Sequence, residues 1–411
     1  MLTENTAGPP LYAANRKAYT EVKRCPARQP GRLEGEAIMI HLLGRETIYR
    51  DEGYNSFPNM ACLADGTVIC AFRHAVDRQK EYGRITHVDP TARDVYVVSK
   101  DGGRTFEPAL HTITQDENIS YQDPCITVLS DGRVIVTYFR WFLTEKGNGA
   151  ALWGEEMFRD RGRVLFDKYD CISGGAGCAI SDDSGKTWRR FQEIRMEPKG
   201  PNGPVRGNIM EMPEGYLLMP VYGARKPGEL SRSFVLRSDD RGESWYFYAD
   251  AASDPENKNF LEPNLFLTES GRLLMLIRTQ CDWTHGVDFE ASYLDLHVVE
   301  SRDGGKTWGA VRDIKGLWGS SPFHAYRLKS GNVLVAYGYR RAPFGIRAKL
   351  CNAELTDLET APELVLVDDA PNGDLGYPHI LQREDGVILV SYYVSGADGI
   401  RYIEASLLEE T

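Results

Sequence analysis

Several features that would place a chain in a simple class are missing here. No apolar run approaches the about 18 residues needed to cross a membrane as a helix, so nothing reads as a transmembrane segment. The opening Met1-Leu2-Thr3-Glu4-Asn5 carries neither a basic nor an apolar stretch, and no signal peptide is read there. Cytoplasmic placement is the expectation, or secretion if a leader has been trimmed. Basic residues are in deficit: 48 Lys and Arg stand against 59 Asp and Glu, for a net charge of −11. That balance argues against nucleic acid and anionic membrane as main partners. It still permits an anionic small molecule, because a few inward arginines reverse the local field.

The eight cysteines, Cys25, Cys62, Cys70, Cys125, Cys171, Cys178, Cys281 and Cys351, show no CxxC spacing. Most lie in apolar runs, where a free thiol acts as a small hydrophobe. No His/Cys/Asp cluster has metal-site spacing. The Gly-rich Gly174-Gly175-Ala176-Gly177 precedes an extended run rather than opening a helix, so it is no dinucleotide fingerprint. No cofactor or metal is expected. Helical periodicity is weak, apart from a possible short helix around Gly154–Asp160.

What the chain has is repetition. The phrase Ser-x-Asp-x-Gly-x-Thr/Ser-aromatic occurs four times, at 99–106, 181–188, 238–245 and 301–308. Each copy follows a short extended run: Val95–Val98, Gly177–Ile180, Phe234–Arg237 and His297–Glu300. The Asp accepts bonds from the backbone N–H groups after it and the Gly takes positive φ, which closes a tight hairpin. The aromatic turns back as an apolar plug. The phrase is read as architectural, not as the active site.

A second repeat runs out of phase with the first. It has the form small residue or Pro, apolar alternation, Asp/Ser-Gly, apolar run, Arg or Tyr. Its copies open at Pro58, Pro124, Asn208, Pro263, Pro322 and Pro378 and turn at Gly66, Gly132, Gly215, Gly271, Gly331 and Gly386. A degenerate box, Cys351-Asn352-Ala353-Glu354-Leu355-Thr356, follows the fifth copy. One hairpin plus one box hairpin makes a four-stranded blade, and six such units predict an all-β, six-bladed β-propeller. Residues 1–36 are read as an N-terminal arm and 37–411 as the propeller, with Ala37–Leu43 and Glu46–Tyr49 as first strands that close the ring on the last blade.

Over roughly residues 45–405 these repeats resemble the sialidase (neuraminidase) superfamily, whose six-bladed propellers carry such Asp boxes (BNR repeats). The resemblance implies a Tyr nucleophile before the last hairpin, which falls on Tyr377 in Gly376-Tyr377-Pro378-His379. It implies a Glu opening an earlier hairpin, Glu262, and an Arg ending that hairpin, Arg278. A catalytic Asp in the first-blade loop falls on Asp89, with Asp94 second. A further carboxylate-binding Arg after the fifth hairpin falls on Arg347, ahead of Arg340 and Arg341. One departure stands out: Ser56 occupies the place of the first carboxylate-binding Arg, and a Ser offers no bidentate fork. Either Arg73, Arg78 or Arg84 reaches in, or the substrate is not an ordinary sialoside.

The chemistry follows from these residue types. A phenol with a pKa near 10 attacks poorly unless a base takes its proton, and Glu262 supplies that base. Asp89 would protonate the leaving oxygen and later activate water, which is retaining logic with Tyr in place of a carboxylate. A neutral nucleophile suits a carbon that bears its own carboxylate, held by Arg278 and Arg347. His87, His324 and His379 line the pocket or are structural. Asp89 is equally a turn cap through Asp-Pro. The reading is a retaining exo-glycosidase of sialidase type acting on a terminal acidic sugar. Its rivals are a carbohydrate-binding propeller without catalysis and a polysaccharide lyase on the same frame. The sequence leaves the oligomeric state open.

Overall fold

The computed structural model describes residues 39–84, 86–191, 194, 203–226, 228–254, 257–281, 292–318 and 321–411. The arm at 1–36, and residues 37 and 38 of the expected first strand, lie outside them. The described chain forms six antiparallel sheets arranged as a six-bladed β-propeller. Blade 1 runs Tyr54–Cys62, Val68–Ala75, Arg93–Ser99, His111–Thr114. Blade 4 repeats the order with Lys258–Leu267, Leu273–Cys281, Asp295–Ser301 and Arg312–Trp318. Blade 6 takes Gly376–Gln382, Ile388–Ser395 and Arg401–Glu410, and adds Ile40–Tyr49 as its outer strand. The expected pair of opening strands is therefore one strand. A register shift between Leu42 and Gly44 interrupts it without ending it.

Each space between neighbouring blades holds its own apolar core. Ile69, Ala71, Val134 and Val136 fill the seam of blades 1 and 2, and Leu274, Leu276, Val333 and Val335 that of blades 4 and 5. Inner strands are covered on both faces, so they read as apolar runs rather than clean alternations.

The repeated phrase latches these seams. In the second box Asp183 accepts from the Thr187 amide at 2.8 Å and hydroxyl at 2.6 Å, and from Ser181 at 2.7 Å. Asp101, Asp240 and Asp303 repeat the pattern. Asn352 imitates it in the degenerate copy, taking the Thr356 amide at 3.3 Å. The aromatic plugs lie between blades: Trp188 packs on the core of blades 1 and 2, and Trp245 on that of blades 2 and 3. Gly242 shows why the box needs its glycine. At φ 88° a Cβ would stand 2.6 Å from Ile135 of the preceding blade.

The segment 141–174 is part strand and part helix. Val134–Glu145 and Tyr169–Ser181 continue as one extended hairpin, with short helices Gly149–Trp153 and Glu155–Arg161 at its tip and the short strand Arg163–Leu165 alongside.

Candidate active site

Four of the six inner strands open with the same device. The ladder slips between Ser56 and Asn59, Gln122 and Cys125, Leu261 and Asn264, and Gly376 and His379. At each slip a residue with positive φ precedes a proline: Phe57 (60°), Asp123 (58°), Glu262 (45°) and Tyr377 (56°). The proline has no N–H to lose where the ladder breaks. The left-handed residue costs of order 1–3 kcal/mol, and the bulge re-aims its side chain.

Three of these side chains, Asp123, Glu262 and Tyr377, line one cavity of about 830 Å³. Its wall also includes Arg278, Tyr293 and Arg340, the His87 and Asp374 pair, and Phe139, Trp141, Arg163 and Tyr222. The Tyr377 hydroxyl donates to Glu262 Oε1 at 2.5 Å. Arg278 Nη1 donates to Glu262 Oε2 at 2.6 Å and lies 3.4 Å from the Tyr377 oxygen, while Nη2 reaches Tyr293 at 3.3 Å. Arg340 donates from Nε and Nη2 to the Leu375 carbonyl at 3.0 and 2.8 Å and stands over the Tyr377 ring.

Burial works to raise the Glu262 carboxyl, but Arg278 and the Tyr377 hydroxyl outweigh it and hold the group below its ordinary value. Tyr377 moves the other way, pushed well above the usual phenol range by burial and by the Glu262 charge. The pair is thus a carboxylate hydrogen-bonded to a neutral phenol. Asp123 is buried, Oδ1 has no hydrogen-bond partner, and its carboxyl is pushed up to about 7 by burial, against the pull of Arg206. Near neutral pH this group carries a proton part of the time, as a general acid must.

A family model described as a BNR repeat-like domain matches residues 157–390. The chain belongs to the BNR repeat-like domain family. Among solved structures it is similar to a protein of unknown function from Dyadobacter fermentans, at 31% identity over 90% of this chain and 99% of that one, TM-score 0.80. It shares its fold with the intramolecular trans-sialidase from Ruminococcus gnavus, at 14% identity over 90% and 96% of the two chains, TM-score 0.56. It also shares it with the GH93 α-L-arabinofuranosidase of Fusarium graminearum, at 14% identity over 88% and 95%, TM-score 0.58. The propeller is of the sialidase-like type.

Within this BNR repeat-like frame the residues singled out from sequence separate into two groups. Glu262, Arg278 and Tyr377 come together. Asp89 does not join them: its oxygens are taken by Arg78 at 2.7 Å and by the Thr91 amide and hydroxyl at 2.8 and 2.5 Å, which is the Asp-Pro turn cap. Asp94 is buried against Thr114, away from the cavity wall. Arg347 spends its guanidinium on the carbonyls of Val367, Ile346 and Pro343, and Arg340 takes the cavity position instead.

His324 and His379 lie outside the cavity as blade-to-blade links. His324 Nδ1 accepts from the Ile380 amide at 3.1 Å and His379 Nδ1 from Met60 at 3.2 Å, with the rings 4.0 Å apart. Arg73 is fully buried beside Tyr54, and its Nε and Nη1 make no hydrogen bond. Asp123 is the residue the sequence reading passed over. Its signal was the shared opening, since Asp123-Pro124 stands where Glu262-Pro263 and Tyr377-Pro378 do.

Proposed function

We propose that this chain is a retaining exo-glycosidase in which Tyr377 is the nucleophile. The observation that carries the reading is the buried Tyr377–Glu262–Arg278 cluster on the cavity wall. Glu262 accepts the phenol proton as the Tyr377 oxygen bonds to the anomeric carbon and the glycosidic bond breaks. Asp123 delivers its proton to the leaving oxygen. In the second half-reaction it takes a proton from water, which attacks the same carbon and frees Tyr377. Glu262 returns the phenol proton to the Tyr377 oxygen as it leaves, and Arg278 holds Glu262 in place and anionic in the free protein. With Asp123 in this role, the acid moves from the first-blade loop to the second blade.

A panel of aryl glycosides tests this. Turnover should retain the anomeric configuration, followed by NMR during hydrolysis. Tyr377→Phe should fall by orders of magnitude, and full activity in that variant would remove the nucleophile. The commitment of Asp89 to Arg78 and Thr91 favours one second reading, a glycan-binding propeller without turnover. Glycan binding with no product after long incubation would identify it.

A further inference from the structure

The first blade supplies no arginine to the cavity wall. Arg73 is buried beside Tyr54, Arg78 is held by Asp89 and Glu81, and Arg84 lies over the Phe166 ring. The second blade does supply one. Its ladder pairs Gln122 with Phe139 and Ser120 with Trp141, so the wall beside Asp123 is made of Gln122, Phe139 and Trp141. Arg163 completes it from the short strand Arg163–Leu165, tied to the same sheet through the pairing of Arg163 with Cys171. The Arg163 guanidinium lies 3.8 Å from the centre of the Trp141 ring, a contact that holds a flexible cation in one place. Trp141 is held in turn. Its indole Nε1 donates to Gln122 Oε1 at 2.9 Å, and Gln122 Nε2 donates to Asp123 Oδ2 at 3.3 Å. An indole N–H only donates, so it fixes which end of the Gln122 amide meets Asp123.

Two of the three arginines on the wall are already engaged. Arg278 is matched by Glu262, and Arg340 is turned to the Leu375 carbonyl. Arg163 is exposed and has no ion pair among the described residues. The Cys171 thiol beside it is pushed up by burial and stays neutral. The acid of a glycosidase must stand next to the leaving oxygen, so the departing group lies on the Asp123 side of the reacting carbon, against the second blade. A carboxylate on that group would find the planar fork of Arg163. Asp123 is neutral when it delivers its proton and ionised once it has done so. An anionic leaving group is therefore tolerated before the step and repelled after it.

We propose that Gln122, Phe139, Trp141 and Arg163 form the leaving-group side of the site, and that Arg163 takes a carboxylate carried by the group released, such as a uronic acid residue. The inference rests on the glycosidase reading of the cavity, and the leaving group separates the two. On whichever sugar the wild type hydrolyses, kcat/KM is measured for the meta-carboxyphenyl glycoside and its meta-carbamoylphenyl counterpart. The proteins are wild type, Arg163→Met, which keeps an apolar contact with Trp141, and Arg163→Glu. The two phenols differ in acidity, so the change in the acid-to-amide ratio between proteins is what is read. That ratio should fall about fivefold from wild type to Arg163→Met, chiefly through KM, as one exposed charge pair allows. It should fall further in Arg163→Glu, and the wild-type preference should shrink at high salt. A ratio the same within about twofold in all three proteins overturns the inference and leaves the glycosidase reading standing. No turnover of either glycoside on any sugar overturns both.

Discussion

Removing Glu262 gives the sharpest test of the cluster. Glu262→Ala leaves Arg278 with a 3.3 Å contact to Tyr293 and a 3.4 Å contact to Tyr377, and with Nε still unbonded. Both members of the ion pair are 7% exposed. Breaking such a pair from one side costs about 3–5 kcal/mol, because a buried charge is left unmatched. The cavity borders this charge and admits water, which places the expected loss near the lower end, about 3 kcal/mol. Arg278→Met alone strands the carboxylate in the same way. Removing both should cost clearly less than the sum, with a coupling of about 1–3 kcal/mol. Urea denaturation of the four proteins at neutral pH measures this. A loss under about 1 kcal/mol for Glu262→Ala, or additivity within about 0.5 kcal/mol, would refute the reasoning. Glycosidase activity gives the parallel readout, with an expected fall of about 10²–10⁴.

Asp123 should set an alkaline limb in kcat/KM. Its acid form is lost as pH rises through about 7, so rates limited by proton delivery should fall across that range. Asp123→Asn should abolish the limb and lose less on aryl glycosides with strongly activated leaving groups. Arg340→Met should raise KM about tenfold or more, as loss of a charged contact predicts, while Arg347→Met should lower stability and leave KM in place. His324 and His379 should make the ring acid-sensitive. Burial holds both imidazoles neutral, His324 down to about 3 and His379 lowered as well, whereas the unfolded chain takes up protons near pH 6.5. Stability should therefore fall as pH drops below about 6.5, and more gently in His324→Gln, as followed by denaturant midpoints.

The fold was legible because its signals are local. Each Asp box is closed by bonds among residues within four positions of its Asp, so the turn and the phase of the blade are written in one short phrase. Glu262, Arg278 and Tyr377 were legible because they stand at hairpin openings and ends, which the phase locates. Asp123 carries the same positional signal, but the family pattern pointed to the first-blade loop and drew attention to Asp89. There the Asp-Pro pair satisfies its own turn, a local bond that no long-range pattern reveals. The choice between Arg340 and Arg347 turned on which way a side chain leaves a strand end. Arg347 lies inside Gly345–Cys351, where the pleat directs it to the carbonyls of its own blade. The 141–174 segment extends the Val134–Glu145 and Tyr169–Ser181 pair, and that continuity comes from pairing across the ladder, which no local signal shows.

The pairing of Ile40–Tyr49 with Arg401–Glu410 has a kinetic consequence. Blades 1 to 5 are built from nearby segments and can assemble as they leave the ribosome, whereas the sixth waits for contacts spanning about 360 residues, as between Tyr49 and Ile403. Tyr377 belongs to that blade. Its amide is tied to Ser321 of blade 5, and its ring packs on Phe57 of blade 1. The proposed nucleophile is therefore aimed only when the circle is complete, and a half-made chain, however well its earlier blades have formed, should show no glycosidase activity.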